Sequence, residues 1–235
     1  MKSAIRFFVN KLGYEVHKRS WSSSPRREEL IRRLGINFVV DVGANSGQYA
    51  SELRKSGYRG RLWSYEPMRS AFADLEKASD SDDLWRVINC GCGAATGSAT
   101  INVAKNSLSS SLLPMLEAHA TSAPESSYIS HETVSICSLD DSVVPSLSHA
   151  DNVWLKIDTQ GYEAEVLKGA TRLMRHVCAM ECELSMVPLY EGQLLIGDMI
   201  RMIYQMGFRM VGVAPVFSEP GTGYALQIDG VFLRT

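Results

Sequence analysis

The sequence predicts an α/β domain built on an open, mostly parallel sheet, and three observations carry that prediction. A short apolar run, Phe38-Val39-Val40-Asp41-Val42, meets a glycine turn, Gly43-Ala44-Asn45-Ser46-Gly47, that passes directly into an amphipathic helix bearing Tyr49, Glu52 and Leu53. Strand and helix signals then alternate with connections of ordinary length, which in a parallel sheet implies right-handed crossovers. A second strand, polar turn and helix follows at residues 153–170.

Each element has its own signal. Ser24-Pro25 reads as an N-cap followed by proline at the first helical position, opening a helix over 25–34 that Gly35 stops. The first strand ends at Asp41-Val42, and a helix over 46–56 ends before Gly57. A strand closing on Tyr65-Glu66-Pro67 is followed by a helix over 68–78, the polar turn Asp80-Ser81-Asp82-Asp83, a third strand over 85–90 and an extra strand over 98–103. Residues 104–130 break this rhythm: they are small, polar and without a period, and are expected to form a long lid or wall for which Leu108, Leu112, Leu113, Met115 and Leu116 supply something to bury. A strand over 132–137 resumes the pattern, and the strand at 177–183 delivers Glu181 and Glu183 to one face by its period of two. Residues 207–213 and 224–233 read as a closing hairpin.

At 235 residues the chain is long enough for one sizeable domain, and 45% apolar with 21% charged residues fits an ordinary soluble protein. The five cysteines (Cys90, Cys92, Cys137, Cys178, Cys182) form no C-x-x-C pair, and no secretory leader is evident. Reduced thiols and a cytoplasmic setting are therefore expected, and zinc fingers and disulfide scaffolds are not. Charge is unevenly spread. Residues 1–35 hold nine Lys/Arg against three Glu, which leaves the remainder at −8 in a chain of net charge −2. We read 1–35 as a basic helical extension and 36–235 as the domain. Ile5, Phe8, Val9 and Leu12 share one face of a helix, so residues 1–12 admit peripheral contact with an anionic membrane surface; packing on the domain or on a second subunit of a homo-oligomer is the plainer reading. No apolar run is long enough to span a bilayer. Nucleic acid is not an expected partner, because the basic residues lack interleaved aromatics and the main body is acidic.

The turn at Gly43 narrows the ligand. No Gly-Lys-Ser/Thr follows it, which argues against a nucleoside triphosphate, and Asn45 stands where a dinucleotide fingerprint has its second glycine. The acidic residue expected about 20 residues further on, to hold ribose hydroxyls, is present as Glu66. A glycine-poor turn with a ribose carboxylate suits a nucleoside without phosphates, of which S-adenosylmethionine is the common one. A nicotinamide cofactor stays open, as does the plainer role of Asp41 and Glu66 as helix caps. In an open α/β sheet ligands sit at the carboxyl ends of strands, which places Asp158 beside Gly43.

Taken together, Val40-Asp41-Val42-Gly43-Ala44-Asn45-Ser46-Gly47, Tyr65-Glu66-Pro67, Ser109-Ser110-Ser111-Leu112, Leu139-Asp140, Leu155-Lys156-Ile157-Asp158-Thr159-Gln160-Gly161-Tyr162-Glu163, Glu181 and Pro188-Leu189-Tyr190 resemble the FkbM family of S-adenosylmethionine-dependent O-methyltransferases. The resemblance implies a Rossmann-like class I methyltransferase fold: seven strands, mostly parallel with an antiparallel last strand, and helices on both faces. It also implies a hydroxyl acceptor on a sugar, a glycolipid or a polyketide-type metabolite. Asp41, Gly43, Ala44, Asn45, Gly47, Glu66, Pro67, Asn89, Cys90 and Asp158 are the expected cofactor residues. Asp158 is the expected base or hydroxyl-orienting group, with Glu181 next and Lys156 holding charge beside them; His131 is the alternative base. Ser109, Ser110, Gln160 and Glu183 are expected toward the acceptor. Asp158, Glu181 and Glu183 could chelate Mg²⁺ or Ca²⁺, but a metal is not expected. Two rivals remain, a nicotinamide-dependent oxidoreductase and a non-catalytic sugar- or lipid-binding module on the same fold.

Overall fold

The computed structural model describes residues 27–235. The amphipathic segment 1–12 and the Ser24-Pro25 helix start lie outside the described residues. No helix among the described residues is long and apolar enough to cross a membrane.

The central sheet has seven strands. In chain order these are β1 (Phe38–Val42), β2 (Arg61–Tyr65), β3 (Trp85–Ile88), β7 (Val153–Ile157), β8 (Val177–Ser185), β9 (Phe208–Ser218) and β10 (Ala225–Arg234), and they lie side by side as β3-β2-β1-β7-β8-β10-β9. Pairing is parallel from β3 to β8. The last strand, β10, inserts antiparallel between β8 and β9. The order reverses at β1 and β7: the chain leaving β1 crosses toward β2 and the chain leaving β7 toward β8, the place where an open α/β sheet forms a crevice.

β1 and β7 are buried along their whole length, which is why both read as continuous apolar runs. Their side chains alternate between two cores. On one face Val39, Leu62, Trp154 and Ala179 pack against α1 (Arg27–Arg33), α2 (Gln48–Lys55) and α3 (Arg69–Ser79) through Leu30, Ile31, Ala50, Leu53 and Leu75. On the other, Val40, Val42, Leu155, Ile157 and Met180 meet Val166 and Leu167 of α6 (Glu163–Lys168) and Met199 and Ile203 of α7 (Ile196–Gln205). α1 thus shares a core with the sheet, although it falls within the basic segment at the start of the chain.

A small second sheet, ordered β4 (Gly91–Cys92), β6 (Tyr128–Cys137), β5 (Gly97–Ala104), stands beside the strand ends. Its existence shortens the third strand, which stops at Ile88 because Gly91 and Cys92 turn away to pair with Ile136 and Cys137. The segment 104–130 is likewise more structured than its aperiodic sequence suggests. It contains one turn of 3₁₀ helix at Ser107–Ser109, a short helix α4 (Glu117–Ser122), another 3₁₀ turn at Pro124–Ser126 and the first residues of β6. Its short polar side chains bond locally: Asn106 accepts from the Ser109 amide at 2.9 Å and donates to Ser126 Oγ at 3.0 Å. Such side-chain-to-backbone turns leave no hydrophobic period to read. The remaining helix, α5 (Leu139–Ser142), is capped by Ser138, whose oxygen accepts from the Asp141 amide.

Candidate active site

The crevice is built first from backbone. Gly43 has φ +78°, and a Cβ placed there would fall 1.8 Å from the carbonyl oxygen of Asp158. The β1 and β7 loops therefore touch, and the Asp158 amide donates to Val42 O at 3.1 Å. Asn45 follows at φ +48°, a conformation that asparagine tolerates better than most residues. Its amide donates to Glu66 Oε2 and the Met68 amide to Glu66 Oε1, both at 2.9 Å. Glu66, 4% exposed, so bridges the turn after β1 and the start of α3 while lining a pocket with Gly43, Pro67, Cys92, Ser110 and Asp158. Burial pushes its carboxyl up to about 7 against the pull of the Met68 and Asn45 amides.

Beneath the crevice a polar rung crosses the sheet. Ser64, Asp41, Lys156 and Glu181 are register partners on four adjacent strands. Lys156 Nζ lies 3.4 Å from both Asp41 Oδ1 and Asp158 Oδ2 and donates to Gly43 O at 3.1 Å. Burial alone would lower the Lys156 pKa, but Asp158, Asp41 and Glu181 outweigh it and hold it above the ordinary lysine value. Asp41 is wholly buried; burial drives its pKa up despite Lys156 and the Ser64 hydroxyl, and its Oδ1 accepts no hydrogen bond. At the next strand Arg27 of α1 grips Glu181 with two bonds of 2.9 Å, Tyr49 donates to the same carboxylate at 2.9 Å, and the guanidinium lies 4.3 Å from the Tyr49 ring centre.

The loop after β7 completes the wall. Gln160 and Gly161 take φ +53° and +98°, and the turn is held by Glu163, whose Oε1 accepts from the Thr159 and Gly161 amides at 2.8 and 3.1 Å. The amide nitrogen of Gln160 donates to Asp158 Oδ1 at 3.1 Å and to Glu183 Oε2 at 3.0 Å, while its oxygen accepts from Tyr190 Oη at 2.7 Å. Gln227 Nε2 donates to Glu183 at 2.6 Å. Burial, then Asp158 and Glu163, pushes the Glu183 carboxyl well above its ordinary range.

A strand ending in a left-handed glycine, a carboxylate at the end of the next strand and a pocket between them fit an adenosyl ligand held by Gly43, Asn45 and Glu66. A family model described as "Methyltransferase FkbM domain" matches residues 41–210, well over half of the chain. The protein belongs to the FkbM methyltransferase family. It is accordingly an S-adenosylmethionine-dependent methyltransferase. No curated relative matches the sequence. Similar solved structures include a TehB-like SAM-dependent methyltransferase from Corynebacterium glutamicum (10% identity, 100% of this chain and 97% of that one, TM-score 0.44). An rRNA methylase from Streptococcus thermophilus matches at 8% identity, 89% and 97% coverage and TM-score 0.45. Aeropyrum pernix fibrillarin with natively bound S-adenosyl-L-methionine matches at 12% identity, 83% and 66% coverage and TM-score 0.46.

The residues picked from the FkbM sequence pattern separate in space. Gly43, Asn45, Glu66, Pro67, Ser110, Gln160 and Asp158 line one pocket; Ala44, Lys156 and Glu181 line an adjoining crevice that shares Gly43, Asn45 and Asp158. Asp41 lies under the floor. Gly47, at φ +85°, faces Leu75 and Trp85 and serves helix packing. Asn89 turns its amide onto the carbonyls of Glu66 and Pro67, and Cys90 bonds Gly91 O, so it is Gly91 and Cys92 that reach the pocket wall. Ser109 pairs with Ser126 inside its own segment, 2.9 Å between hydroxyls. Glu183 sits behind Gln160 and is 5% exposed. Among the described residues no group of three or more His, Cys, Asp or Glu is arranged to hold a metal; Arg27 takes Glu181, and the glutamines take Glu183. Arg27 and Asp229 were not legible as site residues, Arg27 because it lies in the basic segment and Asp229 because it is a lone carboxylate in a hairpin strand.

Glu66 yields a pH prediction. With Glu66 proposed as the acceptor of ribose hydroxyls in its ionised form, and its pKa raised to about 7, affinity for S-adenosylhomocysteine is expected to rise from pH 5.5 to 8, steeply below 7. Glu66→Gln flattens that slope and weakens binding by roughly tenfold, the scale of one hydrogen bond to a charged group; calorimetry across pH measures both.

Proposed function

We propose that this methyltransferase acts on oxygen, at a hydroxyl of an uncharged small-molecule acceptor such as a sugar, a glycolipid headgroup or a polyketide-type alcohol. One observation supports this best. The crevice beside the cofactor pocket carries Asp158, Glu181 and Asp229, and its two most enclosed cations, Lys156 and Arg27, are already committed to carboxylates. Among the described residues an acceptor bearing phosphates finds no free partner there, whereas hydroxyl groups find acceptors. S-adenosylmethionine supplies a methyl group on a sulfonium, so the chain's task is to align the acceptor oxygen and remove its proton. Asp158, half-exposed at the junction of pocket and crevice and steered by Lys156 and Gln160, would orient the hydroxyl. Alignment of this kind contributes up to about 7–11 kcal/mol in favourable cases. The segment from Ser107 to Leu112 would form a wall over the donor, since Leu108 borders both cavities.

The test is incubation with methyl-labelled S-adenosylmethionine and a panel of deoxy-sugar glycolipids, polyketide alcohols and a short structured RNA, followed by mass analysis. Label on an alcohol oxygen is the expected result, falling about 10²-fold or more in Asp158→Asn. Label on the RNA alone, or full alcohol turnover by Asp158→Asn, overturns the reading.

A further inference from the structure

Resting on the alcohol reading, we propose that Asp229 is the general base that takes the proton from the acceptor hydroxyl. Asp229 lies on β10 as the register partner of Glu183, and Glu181 pairs with Val231 two residues on, so its side chain stands on the face of the sheet that floors the crevice. It lines that crevice together with Gly43, Lys156, Asp158 and Glu181, and Gly43 and Asp158 also line the donor pocket.

What singles it out is what it does not hold. Every other enclosed carboxylate around the site is spoken for. Asp41 and Asp158 share Lys156, Glu181 is clamped by Arg27 and Tyr49, Glu183 is held by two glutamines, and Glu66 and Glu163 accept backbone amides. Asp229 is half-buried, and among the described residues nothing donates to it; the groups facing it act through space alone. Those groups are Glu181 and Glu183 from β8, Lys156 and Asp158 from β7 and its loop, and Arg27 from α1. Burial, then Glu181 and Asp158, raises its pKa to about 6, while Lys156 and Arg27 hold it back. A carboxylate tuned there is ionised at neutral pH and binds a proton more willingly than a surface aspartate.

In the reaction the acceptor O–H bond breaks and its proton passes to an Asp229 oxygen. The freed oxygen pair forms the bond to the methyl carbon, the carbon–sulfur pair returns to sulfur to give the neutral thioether, and Asp229 then releases the proton to water. Asp158, its oxygens occupied by Lys156 and Gln160, keeps the hydroxyl in line.

Three measurements on the full chain decide it. Carbon-13 carboxyl NMR should show one aspartate titrating near pH 6 that is missing from Asp229→Asn. S-adenosylhomocysteine affinity of that variant should match the wild type within about threefold, showing that the fold and donor pocket survive. With whichever panel alcohol the wild type methylates, and with S-adenosylmethionine saturating at every pH so that Glu66 does not shape the profile, kcat/KM for the alcohol should rise through pH 6, and Asp229→Asn should lose about 10²- to 10⁴-fold and the acid limb with it, while Asp229→Glu retains the limb at reduced rate. Alcohol turnover by Asp229→Asn with rate and acid limb intact overturns the base and leaves the alcohol reading standing. Absence of transfer to every alcohol by a wild type that binds S-adenosylhomocysteine overturns the alcohol reading and the base with it.

Discussion

Replacing Lys156 with methionine will destabilise the domain by about 3–5 kcal/mol, the usual consequence of removing one member of a buried ion pair. The side chain is only 11% exposed and stands between Asp41, which is wholly buried, and Asp158. Methionine fills much of the volume but leaves Asp41 with the Ser64 hydroxyl as its one donor and takes a hydrogen bond from Gly43 O. The sign of the pH dependence follows. Burial already raises the Asp41 pKa, and losing Lys156 raises it further. The folded variant therefore binds a proton that the unfolded chain, with an aspartate pKa of about 4, gives up. Its stability is best below pH 4 and declines as pH rises from there through the elevated folded value, so the deficit against wild type is larger at pH 8 than at pH 5. Denaturant melts at both pH values measure this. Asp41→Asn combined with Lys156→Met should recover most of the loss, because an uncompensated charge is what the single variant suffers from. A single variant within 1 kcal/mol of wild type at pH 8 contradicts the account.

Gly43→Ala is expected to abolish donor binding. The residue sits at φ +78°, where a Cβ costs about 1–2 kcal/mol in backbone strain alone. That is the smaller part, since the added carbon would overlap the Asp158 carbonyl oxygen at 1.8 Å and its carbon at 2.9 Å, backbone atoms with no rotamer to escape into. The two loops must separate, and with them the pocket that both line. S-adenosylhomocysteine affinity should fall by more than about 100-fold, a loss near 3 kcal/mol. Gly47→Ala is the control. Its added carbon meets Leu75 and Trp85 side chains at 2.9–3.0 Å, so it should lower stability through strain and crowding while leaving a measurable fraction of binding. Calorimetric titration of both variants separates the effects, and comparable affinities for the two contradict the distinction.

The fold was largely legible because a buried parallel strand announces itself twice, as an apolar run and by the turn at its carboxyl end. Residues 38–47 and 153–161 show both signals, and the closing hairpin fitted the antiparallel last strand that the FkbM resemblance implied. Two strands of the small sheet were legible, over 98–103 and 132–137, but their pairing into a separate sheet was not. β4 is two residues long, and nothing in Gly91-Cys92 distinguishes pairing from a loop. Segment 104–130 failed for a related reason, its order resting on serine and asparagine side chains bonding nearby backbone, which carries no period. At the site, strand ends were readable from position, which brought Asp158 to Gly43. Which way a side chain then turns was not: Asn89 and Ser109 turn onto local backbone and hydroxyl groups, and Asp229 depends on a long-range pairing with β8.

Gln160 carries a consequence beyond holding a loop. A primary amide has two ends of nearly equal shape and opposite polarity, and here a phenol feeds one end while two carboxylates draw on the other. Turning it over would set oxygen against oxygen at Asp158 and Glu183 and nitrogen against the hydroxyl hydrogen of Tyr190, so only one orientation survives. The current of hydrogen bonds runs one way, from Tyr190 inward, each dipole strengthening the next. Because Tyr190 also bridges to Met115, the serine-rich insertion is tied through this amide to the direction in which Asp158 points.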